Sequence, residues 1–144
     1  MRNLLKTALF ALPLLAASVS AFADEPILGH WKTLDDETKK PMTVVEVYRA
    51  KGDTYAAKII ENIAAPATCD KCDGKDKGKS IIGMPVVWGV KKAANGYAGG
   101  DGHKLSAGMY FKVKSIKVTD GGKGLDVTGC KLMFCKTAHW VRVE

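Results

Sequence analysis

Beyond its first forty residues, this chain repeats its apolar residues every second position, and that alternation restricts the fold more than any other feature. Val45 and Val47 flank Glu46, and Tyr55, Ala57 and Ile59 alternate with Thr54 and Lys58. Later, Leu125 and Val127 alternate with Asp126 and Thr128, and Val141 and Val143 flank Arg142. Successive side chains of a strand point to opposite faces, so a period of two gathers the apolar set on one face. Outside the N-terminal segment no run of eleven residues carries a helical stripe. The expected class is all-β.

Turn residues cut the alternating runs into short pieces. Lys51-Gly52-Asp53, Asn95-Gly96 and Asp120-Gly121-Gly122 each lie between two strand candidates. Glycine supplies the positive φ of tight hairpins, so these turns join antiparallel neighbours. The pattern predicts strands over 27–33, 42–50, 53–62, 84–93, 97–101, 108–118, 124–131 and 137–143. Eight short strands in series suggest a small antiparallel up-and-down β-barrel, whose closure removes exposed edges. Residues 62–80, NIAAPATCDKCDGKDKGKS, break this rhythm. A loop of that length in a compact domain is functional or tied down.

The N-terminus reads as a cleavable secretory signal over residues 1–23. Arg2 and Lys6 precede an apolar stretch from Ala8 to Ala17, and Ala21-Phe22-Ala23 forms an A-x-A exit before Asp24. A membrane anchor is disfavoured, because the apolar run falls short of the roughly 20 residues a bilayer core requires and Pro13 interrupts it. Cleavage leaves residues 24–144 as one domain, periplasmic or secreted, with no membrane span. With no cysteine before Cys69, no lipid attachment is expected at the cleavage site. Loss of Arg2 and Lys6 lowers the net charge from +7 to +5. The lysines are scattered, with no aromatic-basic stripe, and nucleic acid is not an expected partner.

All four cysteines, Cys69, Cys72, Cys130 and Cys135, follow the signal. An even count in an exported chain reads first as two disulfides. The four could instead ligate zinc, although the second pair has a four-residue gap. A redox pair would require a helix N-terminus, and Cys69-Asp-Lys-Cys72 lies among turn formers. Local pairing, 69–72 and 130–135, requires no particular barrel register. Each local link would stabilise the fold by about 2 kcal/mol. Asp70, Asp73 and Asp76 miss the alternate-residue spacing of a calcium loop and read as solvated charges beside Lys71, Lys75, Lys77 and Lys79. Those four lysines form a candidate contact loop.

His30, His103 and His139 are isolated, and no nucleophile, base and orienting group share a motif. The reading is therefore non-catalytic, with no cofactor and no metal. Gly29-His30-Trp31 opens the first strand, and Trp140-Val141-Arg142 closes the last. In a closed barrel these strands are neighbours, so the Arg142 guanidinium can cover the Trp31 indole and seal one end. Gly29, Trp31, Trp140 and Arg142 are thus candidate barrel-closing residues.

Three stretches, residues 29–48 (GHWKTLDDETKKPMTVVEVY), 69–89 (CDKCDGKDKGKSIIGMPVVWG) and 139–143 (HWVRV), together resemble the bacterial domain-of-unknown-function family 2147, small exported proteins. The resemblance implies a lipocalin-like (calycin) barrel and an exported location, and it carries no catalytic residues across. Two segments depart from the family pattern. Gly100-Asp101-Gly102-His103-Lys104 replaces an Asp-Pro and Gly-Lys turn, and Cys135-Lys136-Thr137-Ala138 replaces Gly-Arg-Thr-Gln. Because the sequence ends at Glu144, the helix that follows the barrel in lipocalins proper is expected to be absent.

An eight-stranded barrel is wide enough to be filled by side chains or to hold one small ligand. Small inward residues such as Ala57 and Gly129 leave room for a cavity. The expected function is binding of a small, partly apolar ligand in the barrel or at its mouth. The alternative is a filled barrel that binds another cell-envelope component through residues 62–80, and a weaker one is a metal or thiol-redox role for the cysteines.

Overall fold

A computed structural model describes residues 25–144, so the signal peptide assigned to residues 1–23 lies outside the described residues. Nine strands follow one another: β1 (Gly29–Leu34), β2 (Pro41–Ala50), β3 (Thr54–Asn62), β4 (Pro85–Ala93), β5 (Gly96–Ala98), β6 (Asp101–Lys104), β7 (Met109–Thr119), β8 (Gly124–Lys131) and β9 (Phe134–Arg142). Each pairs antiparallel with its neighbours, and β1 returns to β9, which closes the sheet. β5 and β6 lie end to end between β4 and β7 and together fill one strand position. The result is an eight-stranded closed antiparallel barrel of up-and-down form.

Most strands begin and end within one or two residues of the sequence-based expectation, and two differ more. The single strand expected over 97–101 is two strands, because Gly99 and Gly100 both adopt left-handed φ angles near 80° and interrupt the ladder. The last strand starts at Phe134 rather than 137. Leu132 and Met133 alone make the β8–β9 turn, so Lys131 pairs with Phe134 and Cys130 with Cys135. That turn lacks Gly or Asn, the usual marks of a tight hairpin.

The barrel is packed solid toward one end. Ile27, Trp31, Val45, Val90 and Leu125 are essentially inaccessible to solvent there. Each buried aliphatic side chain contributes about 1.5–3 kcal/mol. The Trp31 indole N–H donates to the Ile27 carbonyl at 2.9 Å, so the ring's polar group is satisfied inside the core.

The seam between β1 and β9 is short, with Trp31 opposite Arg142 and Lys32 opposite Val141. Arg142 reinforces it from outside the plug. Its guanidinium carbon stands 4.1 Å from the centroid of the Trp31 ring. Nε donates to the Gly122 carbonyl at 2.7 Å, Nη1 to Leu28 at 3.0 Å, and Nη2 to Pro26. One side chain thus ties the entering chain, the β7–β8 turn and the last strand over the tryptophan. Gly29 makes space for it, since a Cβ there would stand 2.9 Å from Nη1. Trp140, two residues before Arg142 on β9, is buried opposite Leu125.

Lysine in place of Arg142 keeps the charge but can satisfy no such set of carbonyls while covering the ring. Arg142→Lys is expected to lower unfolding free energy by about 2–4 kcal/mol, read from urea denaturation. A loss under about 0.5 kcal/mol, the size of an ordinary surface change, would show that the seam does not depend on this residue.

Candidate functional site

Successive hairpins in an up-and-down barrel open alternately at its two ends. The β2–β3, β4–β5 and β7–β8 turns lie at the packed end. The β1–β2, β3–β4, β6–β7 and β8–β9 connections lie at the other, and there the core stops short. A cavity of about 810 Å³ occupies this half and opens between those four connections. Its wall is apolar, with Met42, Ile59, Val86, Leu105, Met109 and Val127 among the lining residues, and Trp140 stands between it and the packed half.

Small residues shape this space in two ways. Phe111 lines the cavity and lies flat against Gly102 and Gly129, where an added Cβ would come within 2.1 and 2.4 Å of its ring. The room left by Gly129 is therefore taken partly by an aromatic face. Ala57 does not border the open cavity; it is buried in the packed half, beside Val87. Ala138 on β9 does line the cavity, and its methyl group leaves the wall low at that point.

Charged groups gather at the rim. Asp36, just past β1, accepts from Lys104 of β6 and from Lys136 of β9, the latter at 3.1 Å. One carboxylate thus bridges two lysines from strands that are not neighbours. The hydrogen bond from Lys104, ahead of the cost of partial burial and the bond from Lys136, holds the Asp36 carboxyl below its usual range. Lys71 and Lys131 also line the mouth.

The 62–80 segment folds into a compact cover on one side of this mouth. Asn62 exchanges two 2.9 Å hydrogen bonds with the Ala65 backbone, and Thr68 bridges to Ser80. Cys69 and Cys72 form a disulfide with Cα atoms 5.3 Å apart, and both are buried in the core cluster beside Ile81. Of the candidate contact lysines, Lys71 borders the cavity, whereas Lys75, Lys77 and Lys79 point to solvent away from it. The second disulfide joins Cys130 to Cys135 across the β8–β9 ladder, Cα atoms 4.0 Å apart. Both links are local, so no cysteine among the described residues is free for zinc or thiol chemistry.

Of the three histidines, only His103 lines the cavity. His30 is exposed on β1. His139 lies on the exposed face of β9, with Nδ1 2.6 Å from Asp126 and Nε2 3.5 Å from Asp120. His103 is buried, stacked on Tyr110 with ring centroids 4.0 Å apart, and its Nε2 has no hydrogen-bond partner among the described residues. Burial pushes its imidazole below the usual range, against the opposing pull of Asp73 and Asp76.

The barrel, the Gly29–Trp31 opening and the Trp140–Arg142 close all fall within the stretch that a family model matches, residues 29–142. The chain belongs to DUF2147, described as an uncharacterised protein conserved in bacteria. No curated protein and no solved structure matches it. The DUF2147 match takes in every element around the cavity, including both disulfides and the three members of the Asp36 cluster.

Sequence reasoning did not single out Asp36, Lys104 and Lys136, and although it placed a turn between the last two strands at 131–134 it did not mark Leu132-Met133 as an exposed apolar tip. The first three are far apart in the chain, and only barrel closure brings them together. The turn did carry a signal: three consecutive apolar residues, Leu132-Met133-Phe134, between two cysteines.

Because its folded pKa is lowered, Asp36 stabilises the barrel above its unfolded value near 4, and this contribution is lost as pH falls through the lower folded value. Asp36→Asn is expected to cost no more than about 1 kcal/mol at pH 7, since the cluster is partly solvated. The gap to the parent protein should narrow as pH is taken down through about 4 and below, read from paired denaturation curves. A gap that stayed constant would assign the loss to something other than the carboxylate charge.

Proposed function

We propose that this member of DUF2147 is an exported, non-catalytic binding protein that holds a small, largely apolar molecule in the open half of its barrel. The observation that carries the reading is the cavity of about 810 Å³, which lies within the roughly 300–1,000 Å³ usual for small-molecule sites. A solid plug of core residues at one end and an apolar chamber at the other is a division of one interior into scaffold and receptacle. The ligand's apolar body fits against Met42, Ile59, Phe111 and Val127, and a polar end fits the rim beside Asp36, Lys104 and Lys136.

The remaining features agree with this reading. Two disulfides fit an oxidising compartment. Cleavage after Ala23 would retain Glu25, which accepts from Tyr97 at 2.8 Å and from Lys92 at 3.1 Å. The entering segment would therefore stay docked. The reading is non-catalytic because the chamber wall is mostly apolar, His103 is its one lining imidazole, and the rim pairs the Asp36 carboxylate with two lysines rather than with a nucleophile.

Gently purified protein is expected to carry a small molecule visible by native mass spectrometry, and the emptied protein should bind a fluorescent apolar probe. Ala138→Trp would fill the chamber from its low wall. It should weaken probe binding at least tenfold while the β-sheet circular dichroism is retained. Unchanged probe affinity in a folded Ala138→Trp protein would place the probe elsewhere and remove the chamber as the ligand site.

A further inference from the structure

We infer that the open end of the barrel docks on an anionic phospholipid bilayer, with the Leu132-Met133-Phe134 tip entering the headgroup region. These three residues are the most exposed large apolar side chains among the described residues, at 91, 90 and 79% exposure. A run of exposed apolar residues at a hairpin tip costs solubility and is retained where it meets something. Leu132 also adopts a left-handed φ of 56°, a conformation that a branched apolar residue takes with strain and Gly or Asn takes freely. Directly beneath the turn, Cys130 and Cys135 clamp the two strands. The tip is thus an apolar wedge on a rigid stem, where a polar Asn-Gly turn would close the same hairpin with less strain.

Charge selects the partner. The segments that form this end, residues 35–40, 63–84, 104–108 and 131–136, carry nine lysines against six carboxylates. Lys131 and Lys136 flank the tip itself, with Lys136 also paired to Asp36 at the rim. Lysine stems lie along apolar surface while their ammonium groups reach outward, which suits a tip at the boundary between acyl chains and anionic headgroups. Three side chains on one turn are also far fewer than the 20–30 residues per partner of a stable protein interface. Partitioning into lipid requires no matching surface. Docked in this way, the barrel turns the mouth of its cavity toward the bilayer, because Leu132 and Phe134 also line that mouth. The docking itself does not depend on the cavity's holding a ligand.

Flotation of the folded, oxidised protein with extruded vesicles tests this. The protein should float with phosphatidylethanolamine–phosphatidylglycerol vesicles at low ionic strength and be released by added salt, with little flotation on phosphatidylcholine alone. Leu132→Ser with Phe134→Ser should cut the bound fraction at least tenfold, and Lys131→Gln with Lys136→Gln should remove the preference for phosphatidylglycerol. Ala138→Trp, which fills the chamber, should float as the parent does. The inference is overturned if the parent fails to float on the anionic vesicles, or if the tip variant floats unchanged. It is equally overturned if Ala138→Trp abolishes flotation, which would trace the association to lipid taken into the chamber. Sedimentation showing a parent dimer that the tip variant converts to monomer, without flotation of either, would assign the tip to a second copy of this chain.

Discussion

Arg142 lies over the Trp31 indole with its donors spent on the carbonyls of Pro26, Leu28 and Gly122, and the geometry of the whole barrel follows from that arrangement. An up-and-down sheet has two edges unless its first and last strands meet, and here they meet over only a short ladder. The guanidinium adds a second, side-chain seam to the backbone one. It also fixes which end of the barrel is solid. Ile27, Val45, Val90 and Leu125 are buried with Trp31 in this half, leaving only a small void of about 10 Å³, whereas the apolar side chains further along the axis border the large cavity. The chamber is the consequence of having one plug rather than two.

That asymmetry accounts for the distribution of chemistry. At the packed end, charged groups tie the chain down: Glu25 meets Tyr97, Lys92 and Arg49 on the adjoining strands. At the open end they form a rim. Asp36 joins β6 to β9 through two lysines across the mouth, and the segment bearing the buried Cys69–Cys72 link covers one side. The long lysine-rich loop is therefore anchored to the core, since the buried disulfide supplies apolar contacts to a sequence that has few apolar residues of its own. The other disulfide acts on geometry instead, clamping a turn whose residues have little intrinsic tendency to turn.

Much of this was readable before any coordinates. Alternation at Val45, Val47, Tyr55, Ala57 and Ile59 marks β2 and β3, because a strand has one buried face and a two-residue period is its only signature. The misplaced boundaries share one cause. Gly99-Gly100 breaks a strand and Leu132-Met133 turns one, and in both places the backbone conformation ran against what the local residues announce. A glycine pair is read equally well as a turn or a weak strand. The turn expected between 131 and 137 is too long because Phe134, Cys135 and Lys136 carry no alternation that would extend the last strand back to it.

By itself the sequence determined the class of fold and the antiparallel order, both of which depend on residues within a few positions of one another; it favoured local cysteine pairing, which the structure decided. Family membership was legible for the same reason, since GHWKT and HWVRV are contiguous. Only the tertiary structure decided that the interior is half solid and half open. That outcome depends on whether Ala57, Gly129 and Ala138 face a plug, a flat phenyl ring or empty space, and each of those neighbours comes from a different strand. The Asp36–Lys104–Lys136 cluster is decided in the same way, by residues up to a hundred positions apart that meet because a closed barrel brings the ends of distant strands to one rim.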